Sequence, residues 1–206
     1  QIHWPDTTIP VERAAEVLLA LYQEGCIRAI GVSNFSAAQM EAFQSVAPLH
    51  SNQPPYNLFE RAIDNETLPY CQAHSIAVLT YSSLCRSLLA GRLTPEMQFP
   101  EGDIRRVDPK FQPPRFAQYL QAVARLDALA RERYGKTVLE VAARWVLDRP
   151  GVSAALWGAK RPEQLIAVDK IFGWKLDEAA MAEIDRIVRE SVPDPVGPEY
   201  LTPGVR

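Results

Sequence analysis

Short apolar segments alternate with amphipathic stretches along most of the 206 residues, and this alternation restricts the fold more than any other feature. The apolar segments, each read as a β-strand, lie near Ile2, Ile27, Leu49, Ile76 and Val152. Strands that are apolar throughout and alternate with helices are typical of a parallel β-sheet, because both faces of such a sheet are buried. The sequence therefore predicts an α/β protein.

The helices between these strands are predicted from apolar residues that recur at spacings of three and four. Pro10 suits a first helical turn, Gly25 ends that helix, and the Ser36 side chain is a suitable cap for the next one. The predicted helical segments are 8–25, 36–47, 64–74, 115–134, 137–147, 162–172 and 177–190.

Two parallel architectures fit this order of elements, an open doubly wound sheet and part of a (β/α)8 TIM barrel. A doubly wound dinucleotide-binding sheet carries a G-x-G-x-x-G turn after an early strand, and this sequence has none. Polar residues instead follow the strands, at His3, at 33–34, at Gln53, at 81–82 and at 158–160. Barrel enzymes place their active sites at the carboxyl ends of the strands, so the barrel is the favoured interpretation.

Charge and cysteine content exclude several classes of function. The net charge of −3 gives no basic excess for binding nucleic acid or a membrane surface, and no apolar run is long enough to span a bilayer. Three widely spaced cysteines predict neither a disulfide framework nor a zinc ribbon, and they suit the cytoplasm. Carboxylates and histidines at metal-ligand spacing are missing, so no metal is expected.

Several residues after the strands have side chains suited to binding or catalysis. His3 can act as a general acid or polarise a carbonyl, although a single histidine in this position is more often structural. Ser33, Asn34 and Gln53 can together hold a planar carboxamide, although serine and asparagine also form turns. Trp4 can line a pocket or belong to the core.

Two loops are candidates for binding an anionic cofactor. The first, at 81–86, carries an aromatic ring, hydroxyl groups and an arginine. The second, at 157–164, carries Gly158 and two cations before a predicted helix that starts near Pro162. Cys85 is interpreted as a small buried hydrophobe, and the charged segment 103–108 as a solvated loop.

Four sequence motifs in the same order are similar to those of the aldo-keto reductases. They are HWPD at 3–6, IGVSNFS at 30–36, NQPPYN at 52–57 and GAKRPEQ at 158–164. The segments LCR at 84–86, DPKFQPPRF at 108–116 and DPVGPE at 194–199 resemble the bacterial general-stress branch of that family most closely. The resemblance covers essentially the whole chain, as the C-terminal part of a single barrel domain over residues 1–206.

The resemblance implies a (β/α)8 barrel that binds NADPH and reduces aldehydes or ketones. Its catalytic histidine corresponds to His3, which orients the substrate carbonyl and assists proton transfer from a tyrosine. The cofactor-binding residues that it implies are Ser33, Asn34 and Gln53 for the carboxamide, Tyr81 for the nicotinamide ring, Ser82, Leu84 and Arg86 for the pyrophosphate, and Gly158, Lys160 and Gln164 for the adenosine phosphate, with Lys160 favouring NADPH over NADH.

His3 corresponds to the fourth strand of that family, so this sequence resembles strands four to eight of an incomplete barrel. The family's catalytic aspartate, tyrosine and lysine come from the preceding units and are not assigned here. Those units belong to a preceding part of the protein, were removed by proteolysis, or are lacking from a truncated gene. The expected partner is a small-molecule carbonyl substrate, with self-association through exposed barrel edges. The alternative is an inactive relative that binds a nucleotide or a protein.

Overall fold

A computed structural model describes residues 1–198 of the chain, and Glu199 of the DPVGPE segment therefore lies outside the described residues. The residues form two compact units. The first comprises Gln1–Pro55, Ala62–Tyr81 and Arg149–Leu156, and the second comprises Tyr56–Arg61, Ser82–Asp148 and the segment that begins at Trp157.

The first unit is built on a parallel sheet whose strands lie in chain order. Its strands are β1 (Gly31–Ser33), β2 (Ser51–Gln53), β3 (Ala77–Thr80) and β4 (Val152–Ala155). Each strand pairs in parallel with the one before it. This order is that of a (β/α)8 barrel, whereas a doubly wound sheet reverses its order at a switch point. The predicted α/β class with a parallel sheet is confirmed.

The strand predicted near Ile2 is reduced to a single parallel bridge between Ile2 and Val32. The Ile2 amide donates to the Gly31 carbonyl at 3.0 Å. Pro5 follows closely and has no amide hydrogen to donate, so the pairing cannot continue through it. This part of the strand prediction was therefore wrong in its extent.

The helices of the first unit begin and end close to the predicted residues. They are α1 (Val11–Gln23), α2 (Ala37–Gln44) and α3 (Thr67–Ala73). Ser36 caps α2 as predicted, because its hydroxyl accepts from the Gln39 amide while the Gln39 side chain accepts from the Ser36 amide. These two bonds form a capping box, which satisfies amides that the first helical turn leaves unpaired.

The second unit is mainly helical. Its helices are α4 (Arg115–Tyr134), α5 (Val138–Asp148) and α6 (Glu178–Ser191). Tyr119 and Leu126 of α4, Trp145 of α5 and Ile184 of α6 are fully buried and form the centre of its core. Short 3-10 turns lie at Leu88–Ala90, Ile104–Arg106 and Pro109–Phe111.

The helix predicted over 162–172 is wrong. The structure has two 3-10 turns there, Pro162–Leu165 and Val168–Ile171. Residues 161–166 are all exposed, including Leu165 and Ile166, and only Ile171 is buried. An α-helix in a protein is stabilised chiefly by burying an apolar face, and this segment has little to bury.

No helix in residues 1–198 combines the length and apolar character needed to cross a membrane.

Candidate active site

Asn34 lies at the centre of a hydrogen-bonded group at the carboxyl end of the sheet in the first unit. Its side-chain nitrogen donates to the backbone oxygen of His3 at 2.9 Å and to the Ser33 hydroxyl at 3.1 Å. Its side-chain oxygen accepts from the Tyr81 hydroxyl at 2.8 Å. The backbone amide of Asn34 donates to the Gln53 carbonyl at 3.3 Å. The structure thus brings together the four residues predicted to hold the nicotinamide and the backbone of His3, which was predicted to orient the substrate carbonyl.

The local sequence explains how Asn34 reaches this position. Strand β1 ends at Ser33 and the cap of α2 is Ser36, so two residues must turn the chain from strand to helix. Asn34 does so with φ of 64°, a left-handed conformation that asparagine tolerates better than most residues. Phe35, the other turn residue, is buried.

The side chains in this group differ in how much they can offer to a ligand. Ser33 is 2% exposed and its hydroxyl donates to the Gln53 backbone oxygen at 2.6 Å, so it supports the neighbouring strand. The Gln53 side chain is half-buried and makes no hydrogen bond to any residue of 1–198, which leaves an amide donor and acceptor for a planar carboxamide. Tyr81 is half-buried, and its ring can contact a flat ligand.

His3 lies at the edge of this group. Its side chain is exposed, and its ring centroid lies 6.3 Å from that of Trp4. Because its backbone oxygen accepts from Asn34, the position of His3 is tied to that of the carboxamide-binding residues. An exposed imidazole held in this way can hydrogen-bond to a substrate oxygen.

The loop 82–87 of the second unit contains an unusual run of backbone conformations. Ser82, Cys85, Arg86 and Ser87 all have positive φ, at 59°, 47°, 53° and 70°. For residues other than glycine this conformation costs roughly 1–2 kcal/mol each, so the loop needs strong support from its surroundings. Leu84 and the Ser82 and Arg86 side chains are half-buried, as a ligand-binding loop requires.

Ser83 in the same loop is 5% exposed, and its hydroxyl makes no hydrogen bond to the residues that the structure describes. A buried hydroxyl without a partner is costly and is often found where a ligand or a water completes the site. The loop therefore combines a hydroxyl, an arginine and a strained backbone, a donor set that fits a pyrophosphate.

The support for this loop is a group of buried charges that the sequence analysis missed. Asp108 and Lys110 are fully buried and Glu60 is 4% exposed. The expectation that 103–108 is a solvated loop is therefore wrong at Asp108, because its carboxylate pairs with Lys110 and Arg86 inside the unit. The aromatic residues around the segment were the available signal: Phe99, Phe111 and Phe116 pack against one another.

Cys85 is fully buried, which confirms its interpretation as a small hydrophobe. Burial raises the pKa of its thiol well above the ordinary value, and the Glu60 carboxylate raises it further. A thiol that stays protonated is a poor nucleophile, so Cys85 packs in the unit and carries no chemistry.

The segment 158–164 is exposed and is closed by Gln164. The Gln164 side-chain oxygen accepts from the amides of Lys160, at 2.7 Å, and Arg161, at 3.1 Å. Gly158 is exposed with open space around it, so a ligand can approach its backbone closely. The α-helix N-terminus expected beyond it is absent, because Pro162–Leu165 is a 3-10 turn, so no α-helix dipole favours a phosphate at this segment.

Asp103 carries negative charge close to Lys160. The Arg105 guanidinium, which hydrogen-bonds to Asp103 at 2.6 Å, lowers the pKa of that carboxyl to about 2, and Lys160 contributes to the lowering. Lys160 itself is exposed, so its side chain is accessible to a phosphate from the solvent.

No group of three or more histidine, cysteine or carboxylate side chains able to hold a metal ion is found among residues 1–198.

Comparison with known proteins identifies the family of the chain. The model of the aldo/keto reductase family matches residues 1–189. Aldo-keto reductase YhdN of Bacillus subtilis is 53% identical over all 206 residues, which span 62% of its length. An NADH-specific methylglyoxal reductase of Escherichia coli is 31% identical over 166 residues, 79% of this chain and 50% of its own.

Solved structures give the same result. The glycerol dehydrogenase AKR11B4 of Gluconobacter oxydans is 48% identical and superimposes with a TM-score of 0.89, covering 96% of this chain and 60% of its own. The chain thus spans about three fifths of the length of YhdN and of AKR11B4. The family motifs, the order of the parallel strands and these similarities lead to one conclusion: the chain belongs to the aldo/keto reductase family.

Proposed function

We propose that the protein that carries this chain is an NADPH-dependent reductase of small aldehydes or ketones. The observation that carries the proposal is the hydrogen-bonded group at the carboxyl end of the sheet. In this group Asn34 is bonded to His3, Gln53 and Tyr81. Parallel α/β proteins bind their ligands at that end of the strands.

The group around Asn34 is suited to the nicotinamide end of the cofactor. The Gln53 amide presents a donor and an acceptor, which a carboxamide needs, whereas the Asn34 nitrogen already donates to His3 and Ser33 and only its oxygen can accept a further bond. The Tyr81 ring stacks on the nicotinamide, while its hydroxyl stays bonded to Asn34. Ser33 contributes by holding the Gln53 backbone.

Two loops of the second unit are assigned to the phosphates of the cofactor. Ser82, Leu84 and Arg86 follow Tyr81 directly in the chain and bind the pyrophosphate. Gly158, Lys160 and Gln164 bind the adenosine phosphate, with Lys160 pairing with the 2′-phosphate that distinguishes NADPH from NADH.

When bound, the nicotinamide supplies a hydride to the carbonyl carbon. A ring nitrogen of His3 hydrogen-bonds to the carbonyl oxygen, which orients the carbonyl and favours the negative charge that develops on that oxygen. The proton then reaches the oxygen from the tyrosine that the family resemblance implies, with His3 assisting. The named relatives act on methylglyoxal and glycerol, so small polar carbonyl compounds are the proposed substrates.

The test measures binding and turnover separately. Cofactor binding is followed by fluorescence titration with NADPH, NADH and adenosine 2′-phosphate, and turnover by NADPH oxidation with methylglyoxal and glyceraldehyde. Asn34→Gly is the informative variant, because glycine keeps the positive φ without strain while the amide is lost. Asn34→Gly should lower the affinity for NADPH and for NADH about tenfold, roughly 1.4 kcal/mol, and leave the affinity for adenosine 2′-phosphate unchanged.

The matched control is Asn65→Gly, at an exposed position of the same unit. It should change no affinity. If neither nicotinamide cofactor binds to the unmodified protein, the proposal fails. If NADH binds more tightly than NADPH, the cofactor assignment is wrong. The NADH-specific methylglyoxal reductase of Escherichia coli is a useful reference protein for this comparison.

A further inference from the structure

Four charged side chains of the second unit form a single row of alternating sign. The Lys110 ammonium lies 2.8 Å from a Glu60 oxygen and 3.3 Å from an Asp108 oxygen. The other Asp108 oxygen lies 3.3 Å from Arg86 Nε. The row therefore runs Glu60, Lys110, Asp108, Arg86, and its formal charges cancel.

Burial makes each member of this row depend on the others. The Lys110 and Asp108 side chains are fully buried and that of Glu60 is 3% exposed, whereas the Arg86 side chain is 21% exposed and reaches the surface. A buried charge is tolerated only when it is paired and hydrogen-bonded. Lys110, which lies between two buried carboxylates, is therefore the member that pairs with both of them.

Both ends of the strained loop 82–87 are tied to this row. At one end, Asn57 Nδ2 donates to the Ser82 carbonyl at 3.1 Å and to a Glu60 oxygen at 2.6 Å. At the other end, Arg86 pairs with Asp108. Non-glycine residues with positive φ persist only where the surroundings fix them, and in this loop the buried row supplies the fixing contacts at both ends.

We propose that Lys110 is a positioning residue for cofactor binding: by bridging Glu60 and Asp108 it holds the loop 82–87 in its strained conformation and orients Arg86 toward the pyrophosphate. The inference rests on the proposed function, since it takes the bound anion to be that of a nicotinamide dinucleotide. Lys110 itself touches no ligand.

The inference is tested with one single and one double variant. Asp108→Asn keeps the size of the side chain and its acceptor for the Lys110 amide, at 3.0 Å, but removes the charge that orients Arg86. Lys110→Met with Glu60→Gln removes the bridge while the remaining charges still cancel, so this variant stays foldable where Lys110→Met alone leaves a buried excess of negative charge.

The matched control is Asp148→Asn. Asp148 pairs with Arg144 at 2.9 Å in the same unit, with side-chain exposures of 10% and 12%, and is bonded to no member of the row. Like Asp108→Asn, Asp148→Asn removes one carboxylate charge from an enclosed arginine–aspartate pair. Both variants should therefore lower the stability of the protein in a similar way. Thermal unfolding of all variants provides the common measure of folding.

The ligands are NADPH, 2′-phospho-ADP-ribose and adenosine 2′-phosphate, of which only the last lacks a pyrophosphate. Both test variants should bind the first two about tenfold more weakly and adenosine 2′-phosphate with unchanged affinity, while Asp148→Asn changes none of the three. Equal weakening of all three ligands, or of none, overturns the inference. If the unmodified protein binds none of the three, the proposed function fails, and the inference fails with it.

Discussion

The Tyr81 hydroxyl donates a hydrogen bond of 2.8 Å to the side-chain oxygen of Asn34. Tyr81 follows β3 and Asn34 follows β1, so this bond joins residues that lie on either side of β2. It also fixes the orientation of the Asn34 amide, whose nitrogen must then face His3 and Ser33. The bond thereby links the carboxyl ends of β1 and β3, while the contacts of Asn34 with His3, Ser33 and Gln53 do not involve the hydroxyl.

The first prediction separates the Tyr81 ring from its hydroxyl. Tyr81→Phe keeps a ring that can stack and should change NADPH affinity by less than about threefold, whereas Tyr81→Ala should reduce it at least tenfold. Fluorescence titration with NADPH measures both. Equal losses in the two variants would assign binding to the hydroxyl and contradict the stacking role.

The second prediction concerns His3. His3→Ala removes the imidazole but leaves the backbone oxygen that accepts from Asn34. We expect kcat for methylglyoxal reduction to fall by about 10²-fold or more, as is usual for loss of a group that assists proton transfer, with NADPH affinity unchanged. Steady-state kinetics and cofactor titration check the two halves. A parallel loss of NADPH affinity would show that His3 holds the cofactor site together.

The third prediction concerns the preference between cofactors. Lys160→Ala should lower the affinity for NADPH about tenfold and leave the affinity for NADH unchanged, because only NADPH carries the 2′-phosphate. Lys175→Ala, at another exposed lysine of the same unit, is the matched control and should alter neither affinity. An equal effect of Lys160→Ala on both cofactors would place Lys160 at a phosphate that the two share.

The fourth prediction concerns the cap of α2. Ser36→Ala removes the hydroxyl that accepts from the Gln39 amide at 3.2 Å, so the helix loses one of its capping bonds. The free energy of unfolding should fall by about 1 kcal/mol, measured by urea denaturation. Ser36→Gly should lower the free energy of unfolding by less than Ser36→Ala does. If Ser36→Ala is as stable as the original chain, the capping box contributes nothing to stability.

The fifth prediction concerns alkaline pH. Burial raises the pKa of the Cys71 thiol from 9.0 to about 11, so between these values the folded state binds more protons than the unfolded state. Stability therefore falls as pH rises through this window, by about 2 kcal/mol at a pH of about 10.5. Cys71→Ala lacks this loss, so the stability difference between the two proteins should shrink by that amount between about pH 8 and pH 10.5. Urea denaturation at both pH values checks this, and a constant difference would contradict it.

The parts of the fold predicted correctly are those where local chemistry and burial agree. The apolar run at 76–81 correctly predicted β3, and Ser36 correctly predicted the start of α2, because each signal lies within a few consecutive residues. The predicted helix over 162–172 failed because its apolar residues have the helical spacing but no surface to pack against. Spacing alone does not reveal that.

The candidate site divides in the same way. Residues that directly follow a strand, such as Asn34 and Tyr81, could be predicted, because a parallel sheet brings their positions together. Lys110 could not, since it pairs with Glu60 from fifty residues earlier in the chain. A lysine among arginines and aspartates in a proline-rich segment is ordinarily solvated, and only tertiary packing makes it a buried charge.

The Gln164 side chain holds the Lys160 amide and leaves the Lys160 side chain out of the bond. The shape of this segment therefore depends on the backbone amide at position 160, which every residue except proline supplies. Under the role proposed for Lys160, a neutral or acidic residue at this position should change cofactor preference while the turn keeps its form.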